Sequence, residues 1–222
     1  MKLTEADIER GLIYMGSRGR DADALMPLVT ECADRLSKAM FPRYTCRLFE
    51  INASEDSIEV CGTELVLRGQ SIKEHLEGCQ KCVLLCATLS AGADKLIRQL
   101  EAADMAMAFV TDCLASSVIE TVCDEAEQEM RSRLPKSYFT WRFSPGYGDL
   151  PLDLQGTFLN VLEAQKRIGL NVTESGMLVP AKSVTAVIGV SDRPIARAKQ
   201  GCVGCNMYND CKFRKGGDHC GS

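Results

Sequence analysis

The chain has 222 residues, a formal net charge of −4 and 45% hydrophobic residues, which together are typical of a globular protein with one substantial core. The acidic balance argues against a general nucleic-acid binder, because such a protein carries a surplus of basic residues. The first residues are polar and acidic, unlike a secretory leader. The most apolar stretch, 105–123, contains Asp112 and Glu120, which favours a buried helix over a membrane span. We therefore expect a cytoplasmic protein that acts away from membranes and nucleic acids.

The first part of the chain predicts two helices followed by a group of strands. Thr4 is a suitable N-cap for a helix that ends near residue 15, and apolar residues at helical spacing predict a second helix over 23–40. Ser71 is a suitable cap for a short helix over 71–78. Alternating apolar residues predict three strands before it, over 43–51, 57–60 and 64–67.

The apolar run 82–89 has two interpretations, because short apolar runs fit a buried strand as well as a buried helix. Glycine on both sides favours the strand, in which Cys82 and Cys86 face one way. In a helix, Cys79, Cys82 and Cys86 would share a face, as a set of metal ligands would.

Long helices and then further strands are predicted for the second half. A helical pattern covers 91–134 with a break near 102–104, and Pro135 ends it. Asp153 is a suitable cap for a later helix, which Gly169 would close. The remaining predicted elements are a strand over 138–145, a helix over 153–168, and strands over 170–173 and 183–191.

The order of these elements predicts the fold class and a division of the chain. Strands come in clusters and are followed by long helices, without strict alternation. This favours an α+β fold, in which a twisted, mainly antiparallel sheet packs with long helices. After Pro194 the chain has almost no aliphatic residues and cannot build a core. We predict one α+β domain over 1–194 and a Cys-rich tail over 195–222.

Cysteine spacing in the tail indicates a metal centre. The chain has twelve cysteines, too few for a disulfide scaffold of this length. Four thiolates in a short polar segment suit tetrahedral zinc or an iron–sulfur cluster, and a metal would give the segment a reason to fold. A reduced tail without metal is the alternative, and His219 could replace the last cysteine. The candidate ligands are Cys202, Cys205, Cys211 and Cys220.

The segment from Arg142 to Tyr147 is the first candidate binding site. Arginine offers a bidentate fork to a carboxylate, Pro145-Gly146 forces a turn in which the backbone can approach a ligand closely, and Tyr147 adds a flat face. These groups suit a small zwitterion with a flat ring, and Ser144 lies among them. The alternative is an ordinary strand end with a type II turn.

Glu120 is a second candidate. It lies in a helix that is apolar on nearly every side, where an unpaired acid is costly. We expect a cationic partner for it, either Arg142 or the ammonium group of a ligand. A structural ion pair is the alternative of about equal weight. The only histidines are His75 and His219, which argues against a Ser-His or Cys-His catalytic pair, and we predict no catalytic residue.

Two segments in order resemble the activation domain of cobalamin-dependent methionine synthase. Their order and spacing match the family's arginine–Pro-Gly-Tyr segment and its later "TES…M…P…SV" segment. Two separate matches are more specific than either alone, and they cover about residues 105–191. The residues that carry the resemblance are Arg142-x-x-Pro145-Gly146-Tyr147 and Thr173-Glu174-Ser175-x-Met177-x-x-Pro180-x-x-Ser183-Val184.

The resemblance implies that the chain binds S-adenosylmethionine. Arg142 would bind the methionine carboxylate, and Tyr147 would stack on the ligand or close the pocket. Backbone groups at Ser144 and Gly146, with Pro145 shaping the turn, would meet its polar edges. Glu120 would neutralise an amine or support Arg142.

In the family, this domain presents S-adenosylmethionine to cobalamin that has oxidised to the cob(II) state, so that reduction and methylation restore the methyl-cobalt form. The resemblance thus implies two partners, a cobalamin-binding methionine synthase or other corrinoid protein and a reductant such as flavodoxin. The chain would be a component of methyltransferase activity.

Three departures from the family pattern shape the hypotheses. No other methionine synthase module accompanies the domain, so we expect a separate subunit. The family's acidic-aromatic segment near the domain start is not evident, which leaves the adenosine side of the ligand undefined. The family lacks the Cys-rich tail, so an electron could come through a built-in cluster. The alternatives are an iron–sulfur protein acting in electron transfer and a zinc-stapled scaffold for a corrinoid enzyme.

Overall fold

The computed structural model describes residues 1–17 and 20–195. Its helices are α1 (Glu5–Tyr14), α2 (Arg20–Ala39), α3 (Gln70–His75), α4 (Ala91–Ala103), α5 (Met105–Arg133), α6 (Gln155–Val161) and α7 (Ala164–Ile168), with a short 3-10 turn at Leu152–Leu154. Its strands are β1 (Arg43–Ala53), β2 (Ser57–Val60), β3 (Val66–Arg68), β4 (Lys81–Thr88), β5 (Tyr138–Phe139), β6 (Asn171–Val172), β7 (Leu178–Val179) and β8 (Ser183–Ser191).

Six strands form one sheet in the order β3-β2-β1-β4-β8-β5, and β6 pairs with β7 in a separate hairpin. The pairs β1–β2, β2–β3, β5–β8 and β6–β7 are antiparallel. This arrangement of helices and antiparallel strands confirms the predicted α+β class. Residues 82–88 of the apolar run lie in β4, so the strand interpretation is also confirmed.

The chain forms two compact units. The first contains Met1–Thr45, Cys86–Glu127 and Ala164–Val184; the second contains Cys46–Leu85, Gln128–Glu163 and the described residues from Thr185 onward. The first is mainly helical, and the second carries nearly all of the six-stranded sheet. Of the predicted tail, 196–222 lies outside the described residues, so the predicted boundary at 194 stays a prediction.

In the first unit, a buried carboxylate joins the start of α1 to α5. Asp7 is fully buried, and its carboxylate accepts hydrogen bonds from the Thr4 N–H at 2.7 Å, the Thr4 hydroxyl at 2.7 Å and the Thr121 hydroxyl at 2.5 Å. The Thr4 hydroxyl in turn accepts the Asp7 N–H, which completes a capping box. The predicted N-cap is therefore present, and its acidic member also ties two helices together.

In the second unit, the core lies against β4 and β8. Val83 on β4 and Ile188 and Val190 on β8 are almost completely buried, and Met130 near the end of α5 packs with them. Apolar side chains in a closely packed interior supply most of the folding free energy. The strands β4 and β8 are thus held together in the core of this unit.

Helix α5 is long and apolar enough to cross a membrane by length and composition, but 67% of its most apolar window is buried inside the protein. Among the described residues it is the one such helix, and one is weak support for a span. Its burial matches the predicted core helix.

Three local predictions were wrong. The predicted helix over 153–168 is divided, because Glu163 takes a left-handed φ of 51°, which turns the chain between α6 and α7. Asp153 does not cap α6, since it lies within the 3-10 turn that follows Pro151. Ser71 lies inside α3, whose N-cap residue is Gly69.

Replacement of Asp7 by alanine is expected to lower the free energy of unfolding by about 2–3 kcal/mol, because the cap is lost and the Thr121 hydroxyl loses its acceptor. Asp7→Asn is expected to cost about half as much, because the amide oxygen still accepts. Urea unfolding measures both. Glu9→Ala, an exposed change on the same helix, is the control and should shift the value by less than about 0.5 kcal/mol. Equal effects of Asp7→Ala and Glu9→Ala would contradict the assignment.

Candidate functional site

The predicted strand over 138–145 leaves the sheet early. Only Tyr138 and Phe139 pair with β8 as a strand, followed by one isolated bridge between Phe143 and Val187. The reason lies at Thr140, whose N–H donates to the Gly189 carbonyl at 2.9 Å while its hydroxyl accepts the Gly189 N–H at 2.7 Å. A side-chain oxygen thus replaces the main-chain acceptor, and the regular ladder ends just before Arg142.

The segment then forms a compact turn at Ser144–Tyr147. The Tyr147 N–H donates to the Ser144 carbonyl at 3.0 Å, and Gly146 has a φ of 93°, as the third residue of a type II turn requires. The Gly146 N–H donates to the Leu150 carbonyl at 2.8 Å, and the Leu150 N–H donates to the Tyr147 carbonyl at 3.0 Å. The loop is therefore closed by its own backbone.

The predicted ligand residues 142–147 differ in exposure within this loop. Arg142 and Ser144 are half-buried, Pro145 is buried and Gly146 is exposed. The Tyr147 ring is 56% exposed and meets the Phe143 ring edge-on at 6.1 Å. The segment 142–147 of the second unit thus carries a guanidinium group, a turn with glycine at its third position and an exposed aromatic ring.

Beneath the turn, buried rings pack around a histidine of α3. His75 is 3% exposed; its ring lies 4.8 Å from that of Trp141 and 4.9 Å from that of Phe143. Its Nε2 lies 2.8 Å from the Thr140 hydroxyl. Burial lowers the pKa of His75 to about 4, although the carbonyl groups of Trp141 and Val187 oppose this shift. His75 is therefore neutral at physiological pH.

Asp149, directly after the turn, was missed by sequence reasoning. Its carboxylate accepts the N–H groups of Gln70 at 2.6 Å and Ser71 at 2.9 Å, at the start of α3. These backbone donors, with that of Ser71 contributing most, hold the pKa of the Asp149 carboxyl below its usual value. No sequence signal joins these residues, because they lie 78 and 79 positions apart.

Glu120 lies on α5 in the first unit and is half-buried, less buried than predicted. The "TES…SV" segment belongs to the same unit, where it forms the β6–β7 hairpin and the start of β8. There Lys182, which is 16% exposed, contacts Asp112 at 2.9 Å and the Ser116 hydroxyl at 2.8 Å. This ion pair was not predicted.

Metal binding finds no support in the described part of the chain. Among residues 1–17 and 20–195, no three His, Cys, Asp or Glu side chains are grouped so that they could hold a metal ion. Burial raises the pKa of Cys79 to about 11 and that of Cys82 to about 12, so these thiols stay protonated. The predicted ligands Cys202, Cys205, Cys211 and Cys220 lie outside the described residues.

Comparison with known proteins defines the class. The family model of the vitamin B12 dependent methionine synthase activation domain matches residues 72–196, which is more than half of the chain. The chain belongs to this family. None of the curated proteins matches its sequence.

Among solved structures, one described as the MetH reactivation domain bound to AdoHcy is similar to the chain with a TM-score of 0.66 and 19% sequence identity. The match covers 96% of this chain and 82% of that chain. At this identity the likeness shows the fold, and it agrees with the family assignment.

His75 should make folding sensitive to acid. The pKa of His75 in the folded chain, about 4, lies below the ordinary value of 6.5. Between these two pH values, the unfolded chain therefore binds a proton that the folded chain does not bind. Stability contributed by the neutral ring is nearly complete at pH 7.5 and falls by up to about 1.4 kcal/mol per pH unit below pH 6.5. Urea unfolding from pH 7.5 to 5 should therefore show about 2 kcal/mol more loss in the wild type than in His75→Gln, whose amide can still contact Thr140. Parallel curves would contradict the assignment.

Proposed function

We propose that this chain binds S-adenosylmethionine and, as a separate cytoplasmic subunit, activates the cobalamin of a methionine synthase or another corrinoid protein by reductive methylation. The observation that carries the proposal is the closed turn at 144–147 directly after Arg142, in a chain of the activation-domain family. A flavodoxin or similar reductant would supply the electron. The chain would contribute ligand binding and proximity, without a catalytic residue of its own.

The groups of the turn fit this ligand. The half-buried Arg142 would bind the carboxylate, because a guanidinium group that is partly removed from water makes stronger charge-assisted hydrogen bonds. The exposed Tyr147 ring would offer a face to the adenine. Since the N–H groups of Gly146 and Tyr147 are used inside the loop, backbone contacts at Ser144 and Gly146 would use carbonyl oxygens, each of which has two lone pairs.

One further observation supports the choice of ligand. The structural relative is described as bound to AdoHcy, which is S-adenosylmethionine without its methyl group. When bound, S-adenosylmethionine would supply the methyl group. The expected role of Glu120 toward its amine rests on the family resemblance.

Calorimetric titration of S-adenosylmethionine tests this assignment. Arg142→Ala is expected to weaken binding by about 10- to 100-fold, because one bidentate charge-assisted contact contributes about 1.5–3 kcal/mol. Arg193→Ala, a change of an arginine with 86% side-chain exposure in the same unit, is the matched control and should bind as the wild type does. Failure of the folded wild type to bind would overturn the proposal.

Activity in trans has its own assay. The purified chain is added, with S-adenosylmethionine and reduced flavodoxin, to a methionine synthase whose own activation domain has been removed and whose cobalamin is in the cob(II) state. Return of the methylcobalamin absorption spectrum supports the proposed subunit, and Arg142→Ala should require about 10- to 100-fold more S-adenosylmethionine for the same return. No return with a chain that binds the ligand would point to another corrinoid protein as partner.

The tail contributes a second candidate function, electron transfer through an iron–sulfur cluster. Its support is the spacing of Cys202, Cys205, Cys211 and Cys220. Anaerobically purified protein is expected to contain iron and acid-labile sulfide, and Cys202→Ser with Cys205→Ser should lose both. Cys61→Ser, an exposed thiol outside the tail, is the control. Zinc alone would replace this role with that of a stapled scaffold.

A further inference from the structure

We propose that Asp149 is a positioning residue for the ligand-binding turn, because its carboxylate fixes the loop 144–150 to the start of α3. The inference deepens the proposed function and rests on it, but it concerns a residue that lies outside the predicted ligand contacts. The clamp is defined here as the Asp149 carboxylate with the N–H groups of Gln70 and Ser71 that it accepts.

The clamp supplies the cap that α3 lacks in its own sequence. A helix begins with N–H groups that have no acceptor within the helix, and the N-cap residue of α3, Gly69, offers no side chain to accept them. Asp149 accepts two of them, Gln70 N–H at 2.6 Å on one oxygen and Ser71 N–H at 2.9 Å on the other. A bidentate contact of this kind restricts rotation of the loop as well as its distance from the helix.

Two glycines allow the backbones to come this close. A Cβ on Gly69 would lie 2.6 Å from Asp149 Oδ1, and a Cβ on Gly148 would fall on the Ser71 hydroxyl. Both residues have positive φ, 123° and 55°. Any side chain at either position would push the loop away from α3. The close contact therefore requires glycine in both backbone segments that form it.

The other end of α3 holds the other end of the same segment. His75, the last residue of α3, contacts the Thr140 hydroxyl and packs on the rings of Trp141 and Phe143. Along the chain, Arg142 lies between Thr140 and Trp141 on one side and Phe143 and the clamp on the other. A single short helix therefore braces the ligand segment on both sides of the arginine.

The contacts of α3 with Thr140, Trp141, Phe143 and Asp149 form a brace around Arg142. This brace can affect ligand binding because the loop 144–150 is rigid in itself. Its three backbone hydrogen bonds, Gly146 to Leu150, Tyr147 to Ser144 and Leu150 to Tyr147, make 144–150 move as one body. Its orientation relative to Arg142 is then set at its attachment points. A site held in its bound geometry loses less conformational entropy on binding, and small displacements of supporting groups weaken it strongly.

Asp149 itself has its charge satisfied by the helix. The backbone N–H groups keep the pKa of its carboxyl low, so it is ionised at any pH used for binding. Substitution therefore removes the clamp without changing a titration step near neutral pH.

The experiment compares Asp149→Ala, Asp149→Asn and the control Asp153→Ala in the full chain. Titration of S-adenosylmethionine is expected to show at least a 10-fold weaker affinity for Asp149→Ala. A smaller loss is expected for Asp149→Asn, whose amide oxygen still accepts one N–H group, and no change for Asp153→Ala, an exposed carboxylate four residues later.

Two measurements without ligand accompany the titration. Amide hydrogen exchange of 144–150 should be faster in Asp149→Ala, and emission of Trp141, the single tryptophan of the chain, should shift. Far-UV circular dichroism and a retained cooperative unfolding transition show that each variant is folded. If Asp149→Ala does not fold, the comparison uses Asp149→Asn.

The outcomes separate the two proposals. If the wild type binds and Asp149→Ala binds equally well, with unchanged exchange in 144–150, the positioning role is overturned and the proposed function stands. If the wild type does not bind, the proposed function fails. The exchange measurement then decides alone, since unchanged exchange overturns the clamp and faster exchange supports it.

Discussion

Close packing at Gly189 is the constraint on which the candidate site depends. This residue of β8 has no room for a side chain, because a Cβ would lie 2.6 Å from Cys79 Sγ, 2.9 Å from Leu76 Cδ2 and 3.0 Å from Thr140 Cγ2. Its N–H also bonds to the Thr140 hydroxyl. Leu76 and Cys79, which follow α3, and Thr140, which precedes Arg142, thus all pack against Gly189. The regular pairing of β5 with β8 ends at this point.

Local signals explain what could be predicted of the fold. The break between α4 and α5 falls at Asp104, whose carboxylate accepts the N–H groups of Ala106 and Met107 at 2.9 and 3.1 Å. Thr4 caps α1 in the same local manner. The turn between α6 and α7 was missed because it lies in the backbone of Glu163, whose left-handed φ of 51° leaves no mark on the helical pattern of the sequence.

The same distinction applies to the candidate site. Apart from Glu120, the predicted ligand groups lie within six consecutive residues, from Arg142 to Tyr147. The type II turn among them could be predicted from the Pro145-Gly146 pair alone. The brace around them could not be predicted, because His75 meets Thr140 across 65 residues and Asp149 meets Gln70 across 79. Single polar side chains of this kind carry no periodicity, and the histidine entered the sequence argument only as a candidate base.

In the proposed site, the brace would link the stability of the second unit to ligand affinity. A small zwitterion offers few contacts, so its binding free energy tolerates little loss to ordering a loop. Here the ordering is done on folding, by buried rings around His75, by the hydrogen bonds inside 144–150 and by the carboxylate on α3. Local opening of a brace costs less free energy than global unfolding. Changes that loosen α3 should therefore weaken the proposed binding before they unfold the sheet, and the affinity of the proposed site would report how firmly this helix is held.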